Sequence, residues 1–373
     1  MLRFSARGRA DNRLSPVFRA IRRSKAGFAS PVVRKLVAGT AVLVAGICAL
    51  AVMAAAVGPY NIPFSHTLAG LLGALGMGEG ATARSEQAII ETIRLPRIVL
   101  ALGVGAALAT AGASMQGLFR NPMADPGIIG VSAGGALGAV LAIATGAAAA
   151  MSLALPGMAF AGAAGALLLV YLIAAAGGRF SIAALLLSGV AVSAFLGAIV
   201  SAIVIFTNSQ QAQREMVFWL AGGLDSTGWE DVRIALPLIG AGVAVMIVFA
   251  RDLNLLLVSE EDARALGVRV GLVRNVLLVC AALVTGTAVA FSGTIAFVGL
   301  VVPHALRLVV GADNRVLLPL SALGGALFLL AADTVARTAA SPAEVRVGII
   351  TALAGAPLFA LLLIRHKARA GAL

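Results

Sequence analysis

The sequence predicts an all-α polytopic membrane protein, and three observations carry that prediction. Long stretches lack every Asp, Glu, Lys and Arg: Gly127 to Gly178, Phe180 to Gln213, and Asn275 to Leu306. A bilayer core about 30 Å thick is crossed by roughly 20 apolar residues of helix. The runs are also continuous rather than alternating with period two, which excludes a barrel, the other architecture that satisfies its own backbone in lipid. Finally, 60% of the 373 residues are hydrophobic and 12% are charged, with mean hydropathy +1.02. A soluble domain of this length needs far less apolar surface.

The first element is a basic tail over residues 1–35. It holds ten Lys/Arg against the single acid Asp11, so it carries nine of the twelve net positive charges. A basic segment directly before an apolar span holds the N-terminus in the cytoplasm and meets anionic headgroups of the lipid bilayer. That placement argues against nucleic acid as a partner. Leu36–Val57 is long enough to span rather than to be cleaved as a signal peptide.

Ten spans follow in order: 36–57, 98–119, 127–147, 157–177, 180–206, 232–250, 274–292, 295–311, 316–336 and 347–364. Gly and Pro mark several boundaries, including Pro122, Pro126, Leu155-Pro156-Gly157, Gly177-Gly178 and Ser292-Gly293. The spans are rich in Gly and Ala, which let helix backbones approach closely in lipid, so a tightly packed bundle is expected. Cys48 and Cys280 both fall inside spans and read as core fillers rather than a disulfide. Residues 366–373 form a short C-terminal end. Ten crossings from a cytoplasmic start return the C-terminus to the cytoplasm. The predicted inner segments carry Arg120, Arg179, Arg251, Arg264, Arg269, Arg315, Arg365, Lys367 and Arg369. The outer segments mix arginines with Glu86, Glu91, Glu215, Asp225, Glu230 and Glu344. Trp219 and Trp229 lie between spans five and six, as interfacial tryptophans do. The even count also permits two halves, 94–206 and 270–364, running in opposite senses.

Two long motifs stand out. One is Arg94-Leu95-Pro96-Arg97, followed by Gly112-Ala113-Ser114-Met115-Gln116-Gly117-Leu118-Phe119-Arg120-Asn121-Pro122-Met123-Ala124-Asp125-Pro126-Gly127. The other runs from Gly293-Thr294-Ile295 through Pro303-His304-Ala305-Leu306-Arg307. Together they resemble the permeases of ATP-binding-cassette importers for iron chelates, heme and cobalamin, over residues 36–365. The resemblance implies a homodimer of ten-helix subunits around an axial path, two ATPase subunits that bind ATP and Mg, and a periplasmic substrate-binding protein. It also implies the bacterial inner membrane. It gives structural roles to Asn121, Pro122, Asp125, Pro126, Pro303, His304, Arg307 and Asp333. The run from Asn121 to Ala136 looks closest to the heme branch, which makes heme the expected cargo and ferric siderophores or cobalamin the alternatives.

An independent reading agrees on the division of labour. The only lysines are Lys25, Lys35 and Lys367, and no G-x-x-x-x-G-K-[ST] phosphate cradle exists. ATP hydrolysis is therefore expected in a separate subunit, with no catalytic residue and no cofactor in this chain. Ion-coupled transport is disfavoured, because the span interiors offer no ionisable group apart from Asp333 near a helix end.

Between spans six and seven, in the loop 251–269, Ser259 can cap a short helix whose first turn holds Glu260, Glu261 and Asp262, and Gly267 suits its stop. The segment containing Ser259, Glu260, Glu261, Ala263, Arg264, Leu266 and Gly267 resembles the family's coupling helix, which moves with the ATPase. Arg94, Arg97 and Arg337 are expected at the outer rim, where the matching arginines of the family receive glutamates of the binding protein. Asp333, four residues before Arg337, is an intrahelical partner for it. His304 reads as structural rather than as a heme ligand. His66 and His366 show no partners in sequence, and no metal-ligand spacing is present. Glu344-Val345-Arg346-Val347-Gly348 departs from the family's E-L-P-x-G, so Arg346 should remove a stiff helix entry and add charge beside Arg337.

Overall fold

The computed structural model describes residues 31–74, 83–176, 182–341 and 343–370. Most of the basic tail, the Gly177-Gly178 boundary and Arg179 lie outside the described residues. The principal helices in chain order are α1 Pro31–Ala56, α2 Phe64–Ala74, α3 Arg84–Leu118, α4 Val131–Ala144, α5 Ala154–Ala175, α6 Ile182–Phe206 and α7 Gln210–Leu220. They continue with α8 Trp229–Val248, α9 Ala250–Val258, α10 Glu260–Ala265, α11 Val270–Ser292, α12 Val298–Val310, α13 Asn314–Thr338 and α14 Val347–Ala370. Each of the ten expected spans has its helix. Among the described residues, seven helices are long and apolar enough to cross a membrane; α4, α12 and the Val347–Leu361 part of α14 are shorter.

The hub is α3, which packs along α13 and against α8, α11 and α12. Around it α1 lies on α13, and α4, α5 and α6 form a second packed group. Glycine sets the closest crossings. A Cβ on Gly105 would sit 2.2 Å from the Gly325 carbonyl oxygen, and one on Gly325 would sit 2.1 Å from that of Gly105. The α4–α5 crossing repeats the device at Gly134 and Gly162. Backbones this close gain dispersion contacts that larger side chains would prevent, which is how helices associate in lipid.

Three boundaries differ from the sequence reading for physical reasons. The helix containing Arg94 and Arg97 begins at Arg84, fourteen residues before the expected 98. Pro96 cannot donate to the ladder and crowds the preceding turn, and the helix absorbs this with a π turn over Ile89–Arg94 instead of starting afresh. The spans expected at 127–147 and 295–311 shrink to α4 and α12, because each is entered through a residue with positive φ: Gly130 at 85° and Phe297 at 69°. Consequently the second helix of each half is the short one: α4 after α3, and α12 after α11. In each half the short helix follows a left-handed residue.

Other expectations need correcting. The segment between α1 and α3 holds α2, and that between α6 and α8 holds α7. Cys48 is exposed on α1 rather than filling the core, while Cys280 is partly covered. His66 does have a partner, with Nδ1 2.8 Å from Glu86 Oε2.

Candidate functional sites at the two ends of the bundle

One end gathers the starts of α3 and α14 with the ends of α1 and α13. Four ionisable residues there are almost fully buried: Arg94 is 4% exposed, Arg97 7%, Arg337 3% and Asp333 0%. Arg97 grips Asp333 with two donors, Nε at 3.0 Å and Nη2 at 2.9 Å from Oδ1, and donates from Nη1 to Glu344 at 2.8 Å. Such forked, charge-assisted pairing is among the strongest side-chain contacts available. Arg337 Nε lies 3.3 Å from Asp333 Oδ2, an ion pair without hydrogen-bond geometry. Its Nη2 donates to the Ala54 carbonyl at 3.1 Å, and Arg94 donates to the Ala55 and Tyr60 carbonyls. Two guanidinium groups thus cap the negative C-terminal end of α1, where orphan carbonyls need donors.

The sequence places these arginines at the outer rim. Within this chain they are instead buried and bonded to its own atoms. The intrahelical Asp333–Arg337 pair is present, but Arg97, from 236 positions away, is the tighter partner. Nothing in the sequence reading paired Arg97 with Asp333 or Glu344. The opposite charges were visible, but only the α3–α13 crossing brings them together.

Beside this cluster three loops meet. Gly223 N–H donates to the Ser292 carbonyl at 2.8 Å, Gly348 N–H to that of Gly222 at 3.3 Å, and the Thr294 hydroxyl to that of Leu220. Arg346 adds no loose charge next to Arg337. It pairs with Asp225, and its guanidinium stacks 4.4 Å from the Phe218 ring centroid. A cavity of about 710 Å³ opens here, lined by Glu215, Phe218, Trp219, Asp225, Phe291 and Arg346 among others. Trp229, half-exposed nearby, donates its indole N–H to the Glu91 carbonyl at 2.8 Å.

The opposite end holds α9, α10 and the loop after α3. Ser259 Oγ accepts the Asp262 N–H at 2.9 Å, which caps α10 as its sequence promised. Glu260 and Arg264 pair at 2.9 Å one turn apart. Gly267 closes the helix at φ +86°, with its own N–H on Arg264 O and Val268 N–H on Ala263 O. Ala263 is buried, whereas Leu266 is 68% exposed, an apolar tip facing away from the chain. Asn254 ties α9 to α13, donating to Asp313 Oδ1 at 2.7 Å and accepting the Asn314 N–H at 2.9 Å. Bonds from Arg315 and Asn254 hold the Asp313 carboxyl at about 2, below its ordinary value.

The two Asx-Pro pairs after α3 make the same turn twice. Asn121 Oδ1 accepts the Met123 N–H at 2.9 Å, and Asp125 Oδ1 accepts the Gly127 N–H at 2.8 Å. Burial pushes the Asp125 carboxyl up, and the Gly127 bond opposes that. Pro122 is exposed, whereas Pro126 is buried at the start of a 3-10 turn. Pro303 and His304 are buried within α12, and Arg307 lies one turn further on.

A multi-pass helical bundle with a short capped helix at one end and a paired-charge cluster at the other is the architecture of a membrane transport permease. The chain belongs to the FecCD transport family, whose model matches residues 42–365. It is 49% identical over 284 residues to the cobalamin import system permease protein of Halobacterium salinarum, covering 76% of this chain and 75% of that one. It is 44% identical over 277 residues to the hemin transport system permease protein of Yersinia pestis, covering 74% and 83%. A solved metal-chelate type ABC transporter in an inward-facing conformation matches with TM-score 0.76 at 34% identity, over 87% of this chain and 97% of that one. This is an ABC importer permease.

Proposed function

We propose that the protein is the membrane subunit through which heme passes from a periplasmic binding protein to the cytoplasm, driven by a partner ATPase. The observation that carries the cargo assignment is the 710 Å³ cavity at the arginine end, with Phe218, Trp219 and Phe291 in its lining. Aromatic faces suit a flat macrocycle, and the hemin relative supports the same choice. Cobalamin is the second reading, favoured by the 49% identical relative.

In this reading the arginine end faces the periplasm, and α10 faces the ATPase with Ser259, Glu260, Glu261, Ala263, Arg264, Leu266 and Gly267. The exposed Leu266 gives that partner an apolar anchor. A second copy of the chain completes the path. It would cover apolar faces left open on α6 and α14, including Leu187, Phe195, Phe206, Leu353 and Leu361. Docking through Arg94, Arg97 and Arg337 becomes an exchange of partners. A glutamate of the binding protein meets the cluster at Glu344, its most accessible member with a side chain 31% exposed, and takes over Arg97 Nη1. Exchange of this kind sets register and recognition more than raw affinity.

The test is reconstitution with the ATPase and binding protein in vesicles, offering hemin, cobalamin and a ferric siderophore separately. ATP-dependent hemin uptake is expected. Uptake without the ATPase would overturn the importer mechanism, and cobalamin uptake without hemin uptake would overturn the cargo.

A further inference from the structure

A second, smaller cavity of about 260 Å³ lies at the opposite end from the arginine cluster, where the end of α3, the end of α9 and the last turns of α12 meet. Gln116, Arg120, Leu257, His304, Arg307 and Leu308 line it. Its polar groups are arranged unlike those of the paired cluster. Gln116 is 1% exposed, and its Nε2 donates to the Gly299 carbonyl at 3.3 Å and the Leu300 carbonyl at 3.1 Å. Two carbonyl acceptors settle which way the amide points. Its Oε1 is left buried without a donor among the described residues.

Arg307 presents the complementary deficit. Its Nε is buried without a hydrogen bond, and no carboxylate lies within ion-pair distance of it among the described residues. Arg120, with φ +49°, spends its guanidinium on the Leu256 carbonyl and likewise meets no carboxylate. Lys35 adds a third cation at the same end of α12, donating to the Val310 carbonyl at 3.0 Å. A half-buried guanidinium is costly unless an anion compensates it. Two arginines without acids, beside one acceptor without a donor, describe a ligand that is an anion carrying a hydroxyl or ammonium group.

The surroundings indicate what delivers that anion. Leu308, in the cavity wall, is 56% exposed, and Val309 beside it is 80% exposed. These are apolar residues exposed at the end of a helix in a multi-pass bundle, a position where acyl chains would cover them. A free phosphate would gain nothing from them, whereas a phospholipid places its phosphate at the helix ends and its chains alongside. Basic pockets between transmembrane helices bind anionic lipid headgroups for this reason.

We propose that this cavity binds the headgroup of an anionic phospholipid, its phosphodiester on Arg307 and Arg120 and a headgroup hydroxyl on Gln116 Oε1. The proposal depends on neither the cargo nor the ATPase; the orientation proposed above only decides that the leaflet is the cytoplasmic one.

The experiment uses the full chain in detergent, stripped of lipid and titrated with phosphatidylglycerol or phosphatidylcholine, with bound lipid counted by native mass spectrometry. Selective retention of phosphatidylglycerol is expected. Arg307→Gln should bind it about tenfold more weakly, a loss of about 1.4 kcal/mol. Arg307→Lys should fall between, as a point charge that cannot fork. The exposed Arg233→Gln should match the unaltered chain. Thermal unfolding without lipid separates binding from folding, since Arg307→Gln should then match the unaltered chain and lose only the lipid-induced stabilisation. If Arg307→Gln does not fold, Arg120→Gln serves the same comparison. Equal retention of phosphatidylcholine, or no loss in either arginine variant, overturns the proposal. Displacement of the lipid by an equal concentration of inorganic phosphate also overturns it, by showing a small-anion site.

Discussion

At the arginine end the chain joins side chains 236 positions apart and hides them from solvent, whereas the Ser259 helix is held by bonds spanning a few residues and stays exposed. The first arrangement is cooperative, because removing one member strands the others in a medium that cannot solvate them. The second is modular, because its cap, stop and i,i+4 pair act within one turn. A cluster of the first kind holds α1, α3 and α13 together while its Glu344 side chain stays 31% exposed. A helix of the second kind can move as a unit against a partner without disturbing the core.

The sharpest way to break that comparison is Asp333→Asn, which keeps the shape but removes the charge facing Arg97 and Arg337. A loss of about 3–5 kcal/mol is expected, read as a large fall in the thermal midpoint in detergent. A midpoint within a degree or two of the unaltered chain would show that the cluster is not cooperative. Next in size is Gly325→Ala, whose added Cβ would meet the Gly105 carbonyl. It should cost about 1–3 kcal/mol through forced separation of α3 and α13, measured in the same way.

At the other end Ser259→Ala should cost about 1 kcal/mol, and locally. Amide exchange should quicken over 260–266 while the global midpoint stays put. ATPase stimulation should fall in the reconstituted complex. A global midpoint shift as large as that of Asp333→Asn would erase the distinction between the two ends. Smallest is the pH effect at Asp313. Its carboxyl is lowered from 3.8 to about 2 by Arg315 and Asn254, so the stability it lends is complete above its unfolded value and lost as pH falls toward 2. Asp313→Asn should flatten that acid limb of the unfolding profile, and an unchanged limb would exclude Asp313 as its cause.

How much was legible in the chain follows the same division. The ten apolar segments were readable because burial in lipid is a property of composition over about 20 residues. The α10 caps were readable because Ser259 and Gly267 act on their own backbone. The long α3 was not, since a π turn before Pro96 is one of several ways to accommodate proline. The shortness of α4 and α12 was hidden too. Gly130 permits a positive φ, but nothing marks Phe297 for one. The fate of Arg346 depended on Phe218 and Asp225 arriving from a distant loop.

Composition and local motif alone determined that this protein spans a membrane many times, belongs with chelate-type importer permeases, and carries a capped helix in a connecting loop. Only the tertiary structure decided that the arginines face inward, that Asp333 serves two of them, and that Gln116 Oε1 and Arg307 Nε meet at one cavity with no hydrogen-bond partner among the described residues. Hydrophobic segments and helix caps are set by neighbours along the chain, whereas charge pairing in a low-dielectric interior is set by which helices cross.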